Sequence, residues 1–351
     1  MPHTITASVI VLGYNGKDFL AECLASVLDQ SYPAEDYEVI YADNASTDGS
    51  ADLVAERFPS VRMVRFERNL GFAEGNNRAA ELARGRYLVF LNQDTVAHRH
   101  WLAEMVGAMG NDPLVKAGHA AARPLYVACQ EREKRVDRGY FSEVSRFGTV
   151  DPVEIRLPDR PAPTLHAGGV ALILDRQVVD ELDYIFDPRF FAYCEDLDLG
   201  LRLNGLGYRV LFVPTAICFH HQEGRARPSR KTLWRLAMAT RNRFLTYMKN
   251  MYADEFLLAL PFFFIGSIAK MRKMVRNPLK QVVYSLGLLP FTAFYLLTAI
   301  LQLPRYLADR RRILERRSRH HDRHWLRKEL KKKALANREV STPTCERVHQ
   351  I

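Results

Sequence analysis

The chain has 351 residues, room for one large α/β domain with an appendage, and carries 50 Lys or Arg against 40 Asp or Glu for a net charge of +10. The charge is uneven: Arg305 to Glu339 holds 14 basic and 5 acidic residues, so the rest is nearly neutral and the basicity belongs to the C-terminal part. Five cysteines without paired metal-ligand spacing exclude a disulfide scaffold and suit a reducing compartment, and the N-terminus lacks the make-up of a signal peptide, so it is expected to be cytoplasmic.

In chain order, short runs rich in Val, Ile and aromatics predict strands at Ala7 to Leu12, Tyr37 to Ala42, Val61 to Phe66 and Arg86 to Leu91. Helical patterns fill the gaps, at Lys17 to Gln30, Thr47 to Phe58 and Ala73 to Arg84. Such repetition implies a mainly parallel sheet with helices on both faces, and ligands then sit beyond the carboxyl ends of the strands. The polar motifs fall at those ends: Tyr14 and Asn15, then DNASTD from Asp43, RNLGFAEGNN from Arg68 and NQDT from Asn92. Any one of them can cap the next helix. Four strand ends all carrying Asn or Asp exceed what capping needs. No GxGxxG follows the first strand and no GxxxxGK[ST] occurs, so the dinucleotide fingerprint and the P-loop are both missing.

Two acidic clusters, about a hundred residues apart, carry the chemistry. LNQDT from Leu91 closes the apolar run from Tyr87; in FFAYCEDLDLGLRLNGLGY from Phe190, the acids Glu195, Asp196 and Asp198 stand between an aromatic run and a helical stretch. Buried carboxylates cost several kcal/mol unless a cation or hydrogen bonds compensate, so acids at the tips of apolar elements point to a metal and a general base. Taken singly, they read equally as a helix cap and a polar first turn.

SVIVLGYNG from Ser8, YADNASTDGS from Tyr41, NLGFAEGNN from Asn69, LNQDT from Leu91, GGVALIL from Gly168 and FDPRFFAYCEDLDLGLRLNGLGYRV from Phe186 together resemble the inverting glycosyltransferases of family 2, particularly the rhamnosyltransferase-like branch, over about Ser8 to Gly224. The resemblance implies an α/β fold: a Rossmann-like, nucleotide-sugar-binding single domain of glycosyltransferase A type with a mixed, mainly parallel sheet. It implies a catalytic domain over 1–224, with a nucleotide-sugar half to about 120 and an acceptor half over 121–224. Asp43 matches the acid that hydrogen-bonds the nucleobase, suited to the N3 hydrogen of uracil or thymine. Asn69 and Asn76 match positions beside the nucleotide and donor sugar. Asp94 matches the metal-contacting acid of a DxD-type motif whose first acid is here Asn92, and Asp196 matches the catalytic base, with Glu195 its neighbour. A His six residues beyond Pro214, hence His220, completes the shell of Mg²⁺ or Mn²⁺; simple strand alternation lets only one of His220 and His221 face the site, and His221 stays open. These roles suit the chemistry. A divalent cation on oxygen ligands neutralises a departing nucleoside diphosphate, and a carboxylate takes the proton of the attacking hydroxyl.

Charges and prolines over Arg123 to Leu165 predict an acceptor-side insertion or mobile loop, followed by Gly168, Gly169 and a strand over Val170 to Leu174. Beyond Gly224 a helical, apolar, membrane-associated region is expected over 225–304 and a basic tail over 305–351. Ser229 to Tyr252 has a helical pattern, Phe256 to Ala269 is apolar, Lys270 to Lys280 has five basic residues and no acid, and Val282 to Leu303 is uncharged for 22 residues. A single span through the last segment would set the basic stretches on opposite sides of the bilayer, so interfacial or re-entrant helices fit better. The expected protein is peripheral or monotopic on the cytoplasmic face of the plasma membrane, and moves a hexose, such as rhamnose from dTDP-rhamnose, to a lipid-linked or polymeric glycan of the cell envelope. A polyprenyl phosphate as direct acceptor would leave Asp196 without a proton to remove. The basic tail, with Tyr306 and Trp325 its only aromatics, does not suit nucleic acid, and retained Asp94 and Asp196 argue against a non-catalytic glycan-binding module. All donor motifs precede Gly224, so removal of the chain from Phe256 is expected to spare nucleotide binding.

Overall fold

The computed structural model describes residues 4–110, 112–124, 138–144, 150–221, 230–258, 293–294, 297–326 and 328–329. The first part alternates strand and helix as the hydrophobic pattern requires: β1 (Ala7–Gly13), α1 (Lys17–Leu28), β2 (Tyr37–Asp43), α2 (Ser50–Arg57), β3 (Arg62–Arg65), α3 (Gly71–Glu81) and β4 (Tyr87–Asn92). Then come β5 (Thr95–Ala97), α4 (Trp101–Met109), β6 (Val115–Pro124), β7 (Arg138–Val144), β8 (Val150–Arg156), β9 (Ala162–Thr164) and β10 (Ala171–Asp175). The last elements are α5 (Glu195–Gly205), β11 (Arg209–His220), α6 (Arg230–Asn250) and α7 (Leu303–Arg317).

One mixed sheet runs in the order β3-β2-β1-β4-β10-β6-β11-β5, with β7 and β8 attached through β6 and β9 on β11. The first four strands are parallel. Strand β10 is antiparallel to both β4 and β6, and β11 is parallel to β6. A strand covered on both faces reads as an unbroken apolar run, and β1 does: Val9 and Val11 enter one core, Ile10 the other. Helix α1 buries Leu20, Cys23, Leu24 and Val27, a stripe at helical spacing, beside Trp101 and Met105 of α4. On the opposite face, small residues of α3 (Ala73, Ala79, Ala80) and leucines of α5 (Leu199, Leu203) cover the sheet.

Part of the segment expected as an insertion or loop is instead a β7–β8 antiparallel hairpin, with β9 paired on β11. Among the described residues strand β8 pairs only with β7, and such an edge tolerates Pro152, which cannot donate to a ladder. Pro214 likewise sits where the β6–β11 register slips between Val213 and Ile217.

Part of the expected basic tail is α7, which packs on α6 and α5 and carries its basic residues to specific partners. Arg317 donates to the Asn250 carbonyl at 2.6 Å and Arg310 to the Met251 carbonyl at 3.0 Å, both just where α6 runs out of its own donors. Tyr306 is fully buried under the Arg189 guanidinium, 4.1 Å from its ring centroid, and Asp309 pairs with Arg189. Composition counted these charges without their partners. Most of the apolar segments after Phe256, and the chain after Glu329, lie outside the described residues. Among the described residues no helix is long and apolar enough to cross a membrane.

Candidate active site

Strand order reverses at β1, with β2 on one side and β4 on the other, and a crevice opens at the carboxyl ends there. It is a cleft of about 290 Å³, lined among others by Gly13, Asn44, Asn69, Asn92, Asp94 and Phe191. Its walls are held by side chains that imitate backbone. Gln93 accepts from the Tyr14 N–H at 3.0 Å and donates to the Tyr14 carbonyl at 3.1 Å, joining the ends of β1 and β4. Asn44 donates to the Asn69 side chain at 3.0 Å and accepts from the Leu70 N–H at 2.8 Å, tying the loop before α3 to β2.

The sequence-predicted residues divide into groups. Asn69 and Asp94 line the cleft. Asp43 and Asn76 lie outside that lining: Asp43 is fully buried, accepting from the Tyr41 hydroxyl at 3.1 Å and the Ser46 N–H at 3.2 Å, and Asn76 donates along α3 to the Phe72 carbonyl at 3.0 Å. His220 points at Asp94, Nε2 to Oδ1 3.2 Å. His221 turns the other way, its ring 4.7 Å from that of Phe19, while its N–H donates to the Asp94 carbonyl at 2.8 Å. The alternation of β11 thus gives the imidazole facing Asp94 to His220. Among the described residues no three His, Cys, Asp or Glu side chains cluster as metal ligands. Asp94 and His220 are two donors aimed at one another, a set that suits Mn²⁺ when a diphosphate and water fill the remaining positions.

Asp196 and Glu195 open α5, and their environments drive them apart. Asp196 accepts from the Gly169 N–H at 2.9 Å and from its neighbour Leu197 N–H at 2.8 Å, and its Oδ2 lies 3.0 Å from His166 Nε2. Burial opposes its charge, but the imidazole and these two N–H groups outweigh burial and hold the carboxyl well below the usual range. Glu195 has a buried oxygen without a hydrogen-bond partner among the described residues; burial, then the Asp196 charge, push it well up. The anion of the pair is Asp196. Asp196 and Glu195 lie outside the cleft lining, and a short backbone link joins Asp196 to it: Gly169 N–H binds Asp196, and the carbonyl of the following residue, Val170, accepts from the Asn92 N–H at 3.0 Å.

Phe191 lines the cleft from a strained stretch, with φ of 62° at Phe191, 73° at Tyr193 and 69° at Cys194. Its carbonyl accepts from the Phe72 and Ala73 N–H groups at the start of α3. Gly71, itself at φ 78°, has no room for a Cβ, which would sit 2.5 Å from the Phe191 ring. From α6, the Asn242 amide lies 2.8 to 2.9 Å from the carbonyls of Phe190, Ala192 and Tyr193 and pins the stretch. A lone Asn in a helical pattern carries no signal of this, nor does His166 in a proline-rich segment.

Residues 8–149 match the family model for glycosyl transferase family 2, and residues 87–309 that for glycosyl transferase family group 2. The chain belongs to the family 2 glycosyltransferases. The transferase is 26% identical over 242 residues, 61% of this chain and 75% of the relative, to N-acetylglucosaminyl-diphospho-decaprenol L-rhamnosyltransferase of Mycobacterium tuberculosis. Over 90 residues, 25% of this chain and 35% of the relative, it is 41% identical to the putative teichuronic acid biosynthesis glycosyltransferase TuaG of Bacillus subtilis. Its fold is similar to that of the mannosyltransferase PcManGT of Pyrobaculum calidifontis, solved with GDP-Man and Mn²⁺, with a TM-score of 0.52 and 19% identity over 91% of this chain and 88% of that one. The transferase therefore has a glycosyltransferase A-like α/β fold on a mixed sheet.

Proposed function

We propose that the transferase moves a hexose, rhamnose from dTDP-rhamnose, to a hydroxyl of a lipid-linked or polymeric glycan in cell-envelope polysaccharide synthesis, with inversion at the anomeric carbon. The observation that carries this reading is a cleft at the carboxyl ends of β1 and β4 whose lining includes Asp94, itself faced by His220, with the buried, hydrogen-bonded carboxylate of Asp196 joined to it through Gly169, Val170 and Asn92. The rhamnosyl and teichuronic acid activities named for the relatives support the choice of substrates. Asp94 and His220 would hold Mg²⁺ or Mn²⁺, which when bound offsets the charge of the departing diphosphate. Asn69 holds the loop beside the donor. Asp43, buried in this structure under the Tyr41 hydroxyl and outside the cleft lining, would accept the N3 hydrogen of the pyrimidine in exchange for that hydroxyl. Asp196 takes the proton of the acceptor hydroxyl as it attacks the anomeric carbon from the face opposite the nucleotide. Leu297, Ile300 and Leu301, each more than half exposed, set the chain against a membrane surface.

Thermal melting against a panel of nucleotide sugars, with and without Mn²⁺, tests the donor. A ligand at 100 times its dissociation constant adds about 2.7 kcal/mol. Stabilisation by no pyrimidine nucleotide sugar under either condition ends this reading. Asp94→Ala is expected to weaken metal-dependent donor binding by about 10-fold to 100-fold, and His220→Ala less, because only Asp94 brings a charge. His221→Ala should leave it nearly unchanged, and calorimetry that ranks His221 above His220 exchanges their roles.

His166→Gln tests how Asp196 is set. With the imidazole beside it, Asp196 stays ionised well below its ordinary value of 3.8, so it puts no acid limb into the working pH range. Without His166 the opposing effect of burial remains and the pKa rises. Activity should then fall more steeply between pH 8 and pH 5 than in wild type, by about tenfold at the acid end. An unchanged profile shape would mean that His166 only fills space.

A further inference from the structure

Behind Phe191, opposite the donor cleft, lies a second cavity of about 240 Å³ between the strained stretch, α6 and the helical residues leading into α7. Arg189, Phe191, Trp234, Arg241, Thr298 and Gln302 line it. Its cations differ in how they are balanced. Arg189 is bound by Asp187 at 2.7 Å and by Asp309. Arg241, only 7% exposed, meets neutral acceptors: the Arg189 carbonyl at 3.0 Å, the Asn242 side-chain oxygen at 2.8 Å and Gln302 Oε1 at 3.4 Å. Its buried Nε has no hydrogen-bond partner among the described residues. No carboxylate among the described residues forms an ion pair with it, although nearby Lys249 and Arg202 both have one. A guanidinium held in a cavity wall without a counter-charge is costly, and the fork of N–H donors matches phosphate oxygens.

The rest of the cavity says what the anion is attached to. Trp234 and Phe191 stand edge to face, ring centroids 6.3 Å apart, and each shows more than a third of its surface, a platform for a sugar face. Leu297, Ile300 and Leu301, on the helical residues that supply Thr298, are exposed and apolar. Phe191 lines both cavities, so a group bound here is next to the donor.

We infer that this cavity is the acceptor's diphosphate site: Arg241 binds the diphosphate of a prenyl-diphosphate-linked acceptor, Trp234 and Phe191 flank its first sugar, and the leucine and isoleucine run takes the prenyl chain. The inference rests on the reading of the acceptor as lipid-linked. Gln302→Glu gives Arg241 a carboxylate in place, and so occupies the charge that the ligand needs while leaving the donor cleft untouched.

The full chain is titrated by calorimetry in EDTA with geranyl diphosphate and with inorganic diphosphate, as wild type, Arg241→Gln and Gln302→Glu. Wild type is expected to bind both probes, and each variant to bind them at least tenfold more weakly. Gln302→Glu should also melt above wild type, which separates a filled charge from a damaged fold. Unchanged binding of geranyl diphosphate by Gln302→Glu overturns the assignment, as does binding that appears only when Mn²⁺ replaces EDTA, because the anion then sits beside Asp94 in the donor cleft. Weaker binding to phosphatidylglycerol vesicles with geranyl diphosphate binding intact also overturns it, since the site then takes a lipid headgroup. Nucleotide-sugar binding by the same proteins is measured separately, so failure of the glycosyltransfer reading appears there and leaves the diphosphate result readable.

Discussion

Asp196→Asn is expected to lower turnover by about 10³-fold or more, the scale of losing a positioned base, while the nucleotide-sugar dissociation constant stays within about twofold of wild type. The two outcomes separate because Asp196 belongs to the acceptor proton and has no part in holding the diphosphate. Asparagine keeps the shape and one oxygen, which can serve either the Gly169 or the Leu197 N–H but not both, so a small loss of stability is expected beside the loss of turnover. The depressed pKa makes Asp196 a weak base at rest. It is nonetheless the ionised member of the pair, and the hydroxyl proton becomes acidic only as its oxygen bonds to carbon. Near-normal turnover in the variant removes Asp196 as base. Asp198 is a poor replacement, being fully buried and bound by Arg202 and Lys249 at 2.9 and 3.0 Å.

The second large effect is on stability. Lys249 of α6 is fully buried between Asp187 at 2.6 Å and Asp198 at 3.0 Å. Burial alone would lower its pKa, but the charges of Asp198 and Asp187 prevail and hold it well above the usual lysine range. Lys249→Ala leaves two buried carboxylates short of their cation and is expected to cost about 3–5 kcal/mol in denaturant unfolding. A loss below about 1 kcal/mol would mean that water or Arg189 and Arg202 take over the charge. The pH dependence has a fixed sign. Asp187 is held well below its ordinary 3.8: burial raises it, and Lys249 and Arg189 more than reverse that, so its contribution is complete above that value and fades as pH falls below it. Ending the chain before Phe256 removes Tyr306, Asp309 and Arg317, all buried against the catalytic part. The truncated chain should aggregate or melt far below the full one. A soluble product that binds nucleotide would instead restore the separable catalytic half that the motif positions suggest.

The sequence by itself determined the first four strands and three helices, because their signals are local: β1 and β2 are continuous apolar runs, and α1 repeats its apolar residues at helical spacing. It also marked Asp94, Asn69 and Asp196 as candidates, since polar residues at strand ends stand out against apolar neighbours. What it did not contain was pairing across distance. The 126-residue separation of Asp94 and His220 closes only when β11 brings its end beside β5, and one residue of alternation decides between the two histidines. The hairpin of β7 and β8 was hidden because an edge strand tolerates the proline and charges that read as a loop. Lys249, Arg241 and Asn242 look in sequence like ordinary polar positions of a helix. Burial and partners give each its meaning, and those come from residues 52 to 62 positions away: Lys249 and Asn242 find acceptors, whereas Arg241 finds no carboxylate among the described residues. The same holds for α7, whose arginines were counted as part of a basic tail until the packing of α5, α6 and α7 supplied carbonyls and carboxylates within reach.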